Sequence, residues 1–423
     1  MLYKNILAIV RFDDLSPLHW IIIVFLFIAV HIPAIWVSSS KTNDYEVLAR
    51  SICSGRVSLS VDDIPYLRGT TIKNTGDLVY FDGKYYLPYP PAPVILVLPW
   101  VLLGFGHVNC VIIAVFVGAF SLLVARKLLC RAGVSSEYIP WLLYGFFFGT
   151  SYWYVLMSSH DVYQFAQVVA VLAVLLLLAE LFGKRRAGLL GLYLSMAFLC
   201  RQLTVFLSIF VAGYFFYVYF LKGRQHMLFW RKISSFLAVV IAGIAIYCVY
   251  NYIRFGAAFD TGYDDIIFLG ALKVRVLEHG VFSLSYLPYN LYNYLFKGFN
   301  IVFTGEDMLR IEDVDLYGSA LLIASPFLLA SFKTGLDSWI LRFAWIAIVL
   351  IFFTLLLYHN NGKDQVNASR FTLDFLPLML VLTGHGADKF PKWLFRSMVV
   401  YSIVINLIAF SVHFIFHTFE NSL

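Results

Sequence analysis

The sequence predicts an all-α polytopic membrane protein with about eleven transmembrane helices. Hydrophobic residues make up 61% of the 423 residues and charged residues only 13%, and the mean hydropathy is +0.80. Soluble domains carry about a quarter charged residues, so this composition excludes an ordinary soluble protein. The apolar residues form runs of about 20, the length that crosses a bilayer as a helix, and Lys and Arg concentrate in alternate connecting segments.

Each apolar run is expected to form one span. The segment Met1 to Asp14 leads into the run Trp20–Val37 without the small-residue cleavage site of a signal peptide, so this run is expected to stay as the first span. The predicted spans lie near residues 19–37, 108–125, 138–157, 163–182, 188–201, 203–221, 233–253, 317–332, 339–358, 371–387 and 397–416.

Two stretches depart from this pattern. Pro93–Phe105 is apolar but short and begins with a proline cluster, which predicts a juxtamembrane or re-entrant helix that closes the first outer loop. The stretch 188–221 is too long for one crossing, and Arg201-Gln202 near its middle predicts a tight outer turn between two spans.

The Lys and Arg bias predicts the orientation. Basic connectors at 126–131, 184–186, 222–232 and 389–396 are placed in the cytoplasm with the N-terminus, because positive residues favour that side. The inner side is then positive and the outer side negative, within a net charge of +6. Eleven spans place the C-terminus outside, and the outer segments are 38–107, 158–162, 254–316 and 359–370.

A long polar loop, Ser38–Ala92, follows the first span. It ends in a dense run of aromatic residues and prolines from Gly83 to Pro93. A purely structural bundle needs only short turns, so a long acidic loop indicates chemistry at the membrane surface. Its six carboxylates belong to Asp44, Glu46, Asp62, Asp63, Asp77 and Asp82.

Asp44 begins an amphipathic pattern just past the first span. In one interpretation, Asn43 or Asp44 caps that helix. In the other, Asp44 is a general base at the rim of the bilayer, where partial desolvation suits it to accept a proton from a sugar or lipid hydroxyl. Glu46, two residues on, cannot share a helical face with Asp44, so the two have different roles if both are functional.

The short outer turn Ser158–Asp161 lies between two spans. Ionisable residues so close to hydrocarbon are costly, which favours a functional role for Asp161 beside the alternative of helix capping. His160 has no His or carboxylate at matching helical spacing, so a metal site is not predicted there.

Lys84, Arg201, Arg254 and Arg370 each lie at or near an outer membrane boundary. Snorkelling or headgroup contact would explain any one of them. Arginine also binds phosphate in a bidentate manner, so these cations together with the outer carboxylates suit a lipid phosphate whose head group carries a sugar. The tyrosine-rich run 286–294 is typical of an interfacial belt or of a sugar-stacking platform.

In the order of these motifs the chain resembles the GT-C class of membrane glycosyltransferases, which use polyprenyl-phosphate sugars and include protein mannosyltransferases and aminoarabinose transferases. The resemblance covers most of the chain. It is carried by Asn43-Asp44-Tyr45-Glu46, by Asp82-Gly83-Lys84-Tyr85-Tyr86 with the following prolines, by Asp161, by Tyr250–Gly256, and by Arg370-Phe371-Thr372-Leu373-Asp374-Phe375-Leu376-Pro377.

The resemblance implies Asp44 as the catalytic carboxylate, Asp161 as the second outer acid, and Lys84 near the donor phosphate. The layout counted from the apolar runs, seven spans over residues 1–253 with a long outer loop at 38–107, matches the shared module of that class. An outer loop and four further spans follow at 254–423. The substrate-binding candidates are Glu46, Lys84, Tyr85, Tyr86, His160, Arg201, Arg254 and Arg370.

The activity implied is inverting transfer of a sugar from a polyprenyl-phosphate carrier to an envelope glycan or lipid acceptor, in the inner (plasma) membrane of a bacterium with a periplasmic active site. The expected partners are that donor, the acceptor and membrane lipids, and not nucleic acid. No cofactor is assigned; a divalent cation, Mg²⁺ or Mn²⁺, stays open because some members of the class use one.

Two other classes of function stay open. A transporter or flippase for a lipid-linked sugar would place ionisable residues near the bilayer midplane or in repeated halves, whereas most charges here fall at span ends. A membrane acyltransferase would use an embedded His with a nearby acid, for which His160-Asp161 is the candidate pair.

Overall fold

The computed structural model describes residues 17–38, 41–60, 78–266, 270–360 and 365–420, and helices dominate these ranges. The helices in chain order are α1 (Pro17–Val37), α2 (Asp44–Cys53), α3 (Val94–Leu102), α4 (Cys110–Arg131), α5 (Ile139–Phe148), α6 (Ser151–Met157), α7 (Val162–Leu181), α8 (Ala187–Phe198), α9 (Leu207–Phe215), α10 (His226–Phe255), α11 (Gly270–His279), α12 (Leu287–Leu291), α13 (Leu321–Ala324), α14 (Trp339–Leu356), α15 (Leu376–Gly386) and α16 (Lys392–Glu420).

Short 3-10 and π turns extend several of these helices. The 3-10 segments are Gln202–Phe206, Tyr263–Asp265, Leu284–Tyr286, Pro326–Thr334, Arg370–Asp374 and Ala387–Lys389, and the π segments are Phe216–Lys222 and Tyr292–Phe296. The 3-10 segment that begins at Gln202 follows directly on Arg201, so the predicted break in the stretch 188–221 is confirmed. The predicted short helix after the proline cluster is also present, as α3.

The structure is that of a membrane protein. Within the described ranges, six helical segments are long and apolar enough to cross a bilayer: Cys110–Arg131, Val162–Leu181, Gln202–Lys222, His226–Phe255, Trp339–Leu356 and Lys392–His413. Shorter apolar helices cover Pro17–Ile28, Ile139–Phe148 and Ala187–Phe198. The predicted total of eleven spans stays a prediction.

Two predicted spans differ from the helices that form. The run 138–157 is divided at Gly149-Thr150, where the backbone of α5 passes close to α16: a Cβ on Gly149 would lie 2.8 Å from Cβ of Ser402. Thr150 then caps α6 by accepting a hydrogen bond from the N–H of Tyr152. The predicted span 317–332 begins before the helix does, because Tyr317–Ser319 is a strand and α13 starts at Leu321.

One continuous apolar core runs from Ile23 to Val399 and crosses the predicted division at residue 253. The helix α7 is its most enclosed span, with 83% of its apolar window buried. It packs against α4 on one side and α8 on the other, and α8 in turn packs against α10. A polar side chain on α7 is therefore held in a dry and rigid setting.

In the part of the chain that the structure describes, three two-stranded sheets lie among the connecting segments, and the all-helical prediction did not include them. The strands are β1 (Val79–Phe81), β2 (Lys84–Tyr86), β3 (Ile301–Thr304), β4 (Arg310–Val314), β5 (Tyr317–Ser319) and β6 (Gln365–Ala368). β1 and β2 form a hairpin, β3 and β4 form a second hairpin, and β5 pairs in parallel with β6. The first turn places Asp82 and Gly83 at positive φ, 47° and 76°, as a two-residue hairpin loop requires.

The predicted outer segments meet at one end of the helices, which we call the loop end. Asn43 bonds to the carbonyls of Ser159 and His160, Arg254 bonds to the carbonyl of Leu87, and the N–H of His359 donates to the carbonyl of Val281. The loop end therefore gathers segments from all four predicted outer regions.

The predicted inner connectors meet at the opposite end, which we call the basic end. Lys232 Nζ donates to the carbonyl of Arg185, Arg396 pairs with Glu137, and Lys389 Nζ donates to the carbonyl of Lys333. The grouping of the segments agrees with the charge-based topology, whereas the compartment that each end faces stays a prediction.

Candidate active site at the loop end

Asn43 joins the first turn of α2 to the turn 158–161. Its Oδ1 accepts a hydrogen bond from the N–H of Tyr45 at 2.8 Å, and its Nδ2 donates to the carbonyls of Ser159 and His160 at 3.2 and 3.1 Å. Asn43 is therefore the cap of α2. Asp44 is the first residue of the helix and is 8% exposed, and the interpretation of it as a base is independent of capping.

Asp161 lies at the start of α7 on the other side of this junction. Its backbone has the extended geometry of an N-cap, but its side chain makes no capping hydrogen bond to that helix. The side chain is 41% exposed. The carboxylate of Asp161 therefore does not cap α7, which was the alternative interpretation of this acid.

His160 lies between Asp161 and Lys41. Its Nε2 is 3.0 Å from Nζ of Lys41 and 3.7 Å from Oδ1 of Asp161. Burial, and to a lesser extent the charge of Lys41, lower the pKa of His160 to about 4. The imidazole is therefore neutral at neutral pH, and because Nε2 accepts from the ammonium of Lys41, its proton lies on Nδ1.

Arg201 and Arg370 share one aromatic ring. Each guanidinium carbon lies 4.9 Å from the centre of the Phe371 ring, so the two are at most twice that distance apart. Asp374, which is fully buried, receives Nε and Nη2 of Arg201 in a bidentate pair, both at 3.1 Å, and receives Nε2 of Gln167 at 2.7 Å. This network fixes Arg201 at the end of the bundle.

Tyr163 connects the arginines with the acids. The guanidinium of Arg370 lies over the Tyr163 ring at 4.2 Å, and Tyr163 is two residues after Asp161 in the first turn of α7.

Burial raises the pKa of the Tyr358 phenol, and Arg201 and Arg370 act in the opposite direction. The phenol is therefore a neutral group beside two cations.

Lys84, Tyr85 and Tyr86 lie together on β2. Lys84 is exposed next to the hairpin turn, Tyr86 is buried, and the Tyr86 ring meets the Phe255 ring edge-on at 5.6 Å. The hairpin is joined to the third outer segment by a bridge between Val79 and Ile266. These contacts hold the hairpin on the end of α10.

Arg254 anchors the proline-rich segment rather than a solvent-facing site. It is 2% exposed; Nη1 donates to the carbonyl of Leu87, and Nη2 donates to Oδ1 of Asn251 at 2.6 Å. Its guanidinium lies over the Tyr250 ring at 4.0 Å. Two of its nitrogens are thus used within the protein.

Glu46 is likewise held by protein partners. Oε1 accepts from Nη2 of Arg50 at 2.7 Å, and Oε2 lies 3.1 Å from Nδ1 of His107. Arg50 also donates to the carbonyls of Phe105 and Gly106. This cluster ties α2 to the loop after α3.

Three important residues were not among the predicted site residues: Lys41, Gln167 and Asp374. Asp374 belongs to the motif that carries the resemblance, yet no role was assigned to it. A signal for Gln167 exists in the sequence, since a polar residue inside the apolar run 163–182 is costly without a partner. Lys41 has no periodic or motif signal at all.

The loop carboxylates Asp62, Asp63 and Asp77 lie outside the described residues. Within the ranges that are described, no group of three or more His, Cys, Asp or Glu side chains is arranged to hold a metal ion. Comparison with protein-family models, with curated proteins and with solved structures gives no match.

Proposed function

We propose that the protein is an inverting glycosyltransferase that moves a sugar from a polyprenyl-phosphate carrier to an envelope glycan or lipid acceptor at the outer face of the membrane. One observation carries the proposal. The two acid-bearing segments joined by Asn43 are connected through Tyr163 to the pair Arg370 and Arg201, all at one end of an apolar bundle.

The arginine pair suits a phosphate group. Asp374 engages only Nε and Nη2 of Arg201, so Nη1 is not used by that pair. Arg370 is 7% exposed and stacked between Tyr163 and Phe371, which holds its plane in a fixed orientation. Cations fixed in a place with little water stabilise the charge on a departing phosphate more strongly than mobile ones do.

Asp44 is the proposed base. The acceptor oxygen attacks the anomeric carbon, the bond from that carbon to the phosphate oxygen breaks, and the hydroxyl proton passes to Asp44. A single displacement inverts the configuration and requires no covalent enzyme intermediate. Asp161 is the second acid, and the neutral His160 next to it adds no positive charge.

Arg254, Glu46 and the hairpin residues have supporting roles in this proposal. Arg254 holds the carbonyl of Leu87 just ahead of the proline-rich segment, and Glu46 ties α2 to the loop after α3. Tyr85 and Tyr86 hold Lys84 at the edge of the loop end. Lys84, which is exposed, stays a candidate for the donor phosphate.

The test is transfer of a labelled sugar by the reconstituted protein from a panel of polyprenyl-phosphate sugars. Asp44→Asn is expected to lower the turnover by about 10²–10⁴-fold, the contribution of a general base. Asp82→Asn is the matched control: it changes a carboxylate of the same loop at a turn position that Asn also tolerates, and it should keep full activity. A fully active Asp44→Asn protein would remove Asp44 from catalysis.

Arg370→Ala tests the phosphate assignment. It is expected to raise the KM for the lipid-phosphate donor by about tenfold or more, because one charge-assisted contact to phosphate is lost. Arg254→Ala is the comparison variant, expected to act mainly on stability. Unchanged donor kinetics in Arg370→Ala, or loss of donor binding only in Arg254→Ala, would contradict the assignment.

A further inference from the structure

A group of cations at the basic end is independent of the proposed active site. Lys127 and Arg131 lie in the last turns of α4, and Nη1 of Arg131 reaches the carbonyl of Ala179 and the backbone of Gly183, next to Lys184. We call Lys127, Arg131 and Lys184 the Lys127 cluster. Lys127 and Arg131 are four residues apart on one helix, a spacing at which like charges destabilise each other.

The nearby carboxylate does not neutralise the Lys127 cluster. Glu180 is buried, and both of its oxygens are bound by Arg186: Nε donates to Oε1 at 2.9 Å and Nη2 donates to Oε2 at 2.8 Å. The backbone N–H of Arg186 adds a third hydrogen bond to Oε1. The negative charge of Glu180 is therefore satisfied mainly by one arginine, and the group keeps an excess of positive charge.

The backbone around the cluster is shaped to hold it. Nη1 of Arg131 donates to the carbonyl of Ala179. A Cβ on Gly183 would lie 2.5 Å from that same nitrogen, so glycine provides the room for the Arg131 side chain. Arg185 has a φ of 57°, unfavourable for a residue with a Cβ, and its carbonyl is held by Nζ of Lys232 at 2.9 Å.

The position of the cluster indicates a lipid. Lys127 and Arg131 lie in the last turns of α4, and Lys184 follows α7; both helices are long and apolar enough to cross a membrane. Phosphate headgroups lie at the ends of such helices. Tyr214 and Tyr219, under Arg185 and Lys232 at 5.4 Å each, are amphipathic rings typical of the same depth.

We propose that the Lys127 cluster binds the phosphate of an anionic phospholipid headgroup. The ligand supplies the negative charge that Glu180 does not, and it bridges α4 to the turn between α7 and α8. Basic clusters between helices at this depth attract anionic lipid with roughly 1 kcal/mol per cation, or about a fivefold change in affinity.

The experiment uses the full-length protein in a neutral detergent and measures lipid binding by native mass spectrometry and thermal stabilisation. Phosphatidylglycerol is titrated, with phosphatidylcholine as the lipid of no net charge. The test variant is Lys127→Gln with Lys184→Gln. Its matched control is Lys392→Gln with Arg396→Gln, which removes two cations from the same end, both partnered by Glu137.

The expected result is that phosphatidylglycerol binds the parent protein and the control variant equally, and binds the test variant at least roughly tenfold more weakly. Lys184→Gln alone, at an exposed position, should show a several-fold loss and keeps the test valid if the double variant does not fold. Equal loss in the test and control variants would mean a general charge effect and would overturn the proposal.

Inorganic phosphate and glycerol 3-phosphate, at matched ionic strength, distinguish the two sources of phosphate. They should give no stabilisation at concentrations where the lipid does. Stabilisation by the soluble phosphates equal to that by the lipid would also overturn the proposal. Because no transfer activity enters these measurements, the result is independent of the proposed glycosyltransferase function.

Discussion

The two ends of the helical bundle treat charge differently. At the basic end, Glu137 is 35% exposed and pairs with Lys392 and Arg396, which are 62% and 42% exposed. At the loop end, Asp374 is fully buried and pairs with Arg201, which is 21% exposed and stacked on Phe371. Ion pairs in water contribute little, whereas a buried pair is costly to break.

The difference indicates where the protein uses its ionisable groups. The ion pairs at the basic end lie at the surface, apart from the group around Lys127. Any topology that places positive residues on that side of the membrane would collect such cations there. At the loop end, Asp374 and Arg370 are taken out of water and contact the neutral side chains Gln167 and Tyr163. Burying charged groups lowers the stability of the fold, and such buried charges are typical of functional sites in membrane proteins.

The largest expected effect is that of Asp374→Asn. The substitution leaves the cation of Arg201 without its buried carboxylate, and we expect a loss of about 3 kcal/mol in the free energy of unfolding. Unfolding in a mixed-micelle denaturant series measures this loss. A change as small as that of an exposed ion pair would mean that the two ends are equivalent.

A smaller loss is expected from Gln167→Leu. This variant removes a hydrogen bond to a buried carboxylate but keeps the Arg201 pair, so about 1.5–3 kcal/mol is expected from the lost charge-assisted bond. The same unfolding series applies, with Leu172→Ala as a packing control on the same helix. If Gln167→Leu leaves stability unchanged, the bond to Asp374 contributes nothing.

The pH dependence of the loop end is expected to include His160. Its pKa is about 4 in the folded protein, against about 6.5 in an unfolded chain. Between these values only the unfolded chain binds the proton, so the free energy of unfolding falls as the pH falls from 6.5 toward 4. His160→Gln should make this decline shallower.

The measurement is thermal unfolding between pH 7.5 and 4.5 for the parent, His160→Gln and Lys41→Met. Lys41→Met removes a charge that lowers the pKa of His160, so its decline should also be shallower and begin at a similar pH. Identical slopes for all three proteins would show that His160 titrates normally in the folded state.

The smallest effect is expected at the basic end from Glu137→Gln. Its carboxylate lies at the surface, where solvent and salt screen the attraction to Lys392 and Arg396, so stability should change little. The pKa of Glu137 is lowered mainly by its hydrogen bond to Lys392, so any small contribution is present at neutral pH and is lost as the pH falls below the usual range of a carboxyl. A loss as large as that of Asp374→Asn would refute the contrast between the ends.

Much of the helical layout could be predicted from the sequence, because a bilayer imposes a length and an apolar composition on every segment that crosses it. The break at Arg201, the short helix after the proline cluster and the grouping of the outer segments were predicted from these rules. The strands β1 to β6 were not, since each is only three to five residues long, and β5 gains its pairing from the distant β6.

The candidate site was predictable by residue type but not by contact. Asp44, Asp161, Arg201 and Arg370 stood out because ionisable residues near hydrocarbon are rare. The sequence made Glu46 and Arg254 equal candidates for substrate binding, although in the structure their side chains are held by protein partners. That distinction depends on which groups lie opposite in space.

The sequence by itself determined that this chain is a mainly helical membrane protein, where most of its apolar segments lie, and which connectors carry positive charge. These properties follow from local composition, because transfer into a bilayer is decided segment by segment. Only the tertiary structure decided that Asn43 caps α2 and bonds to the 158–161 turn, and that Gln167 and Asp374 fix Arg201. Hydrogen bonds and ion pairs act over a few ångströms, whereas the partners Gln167 and Asp374 are 207 positions apart along the chain.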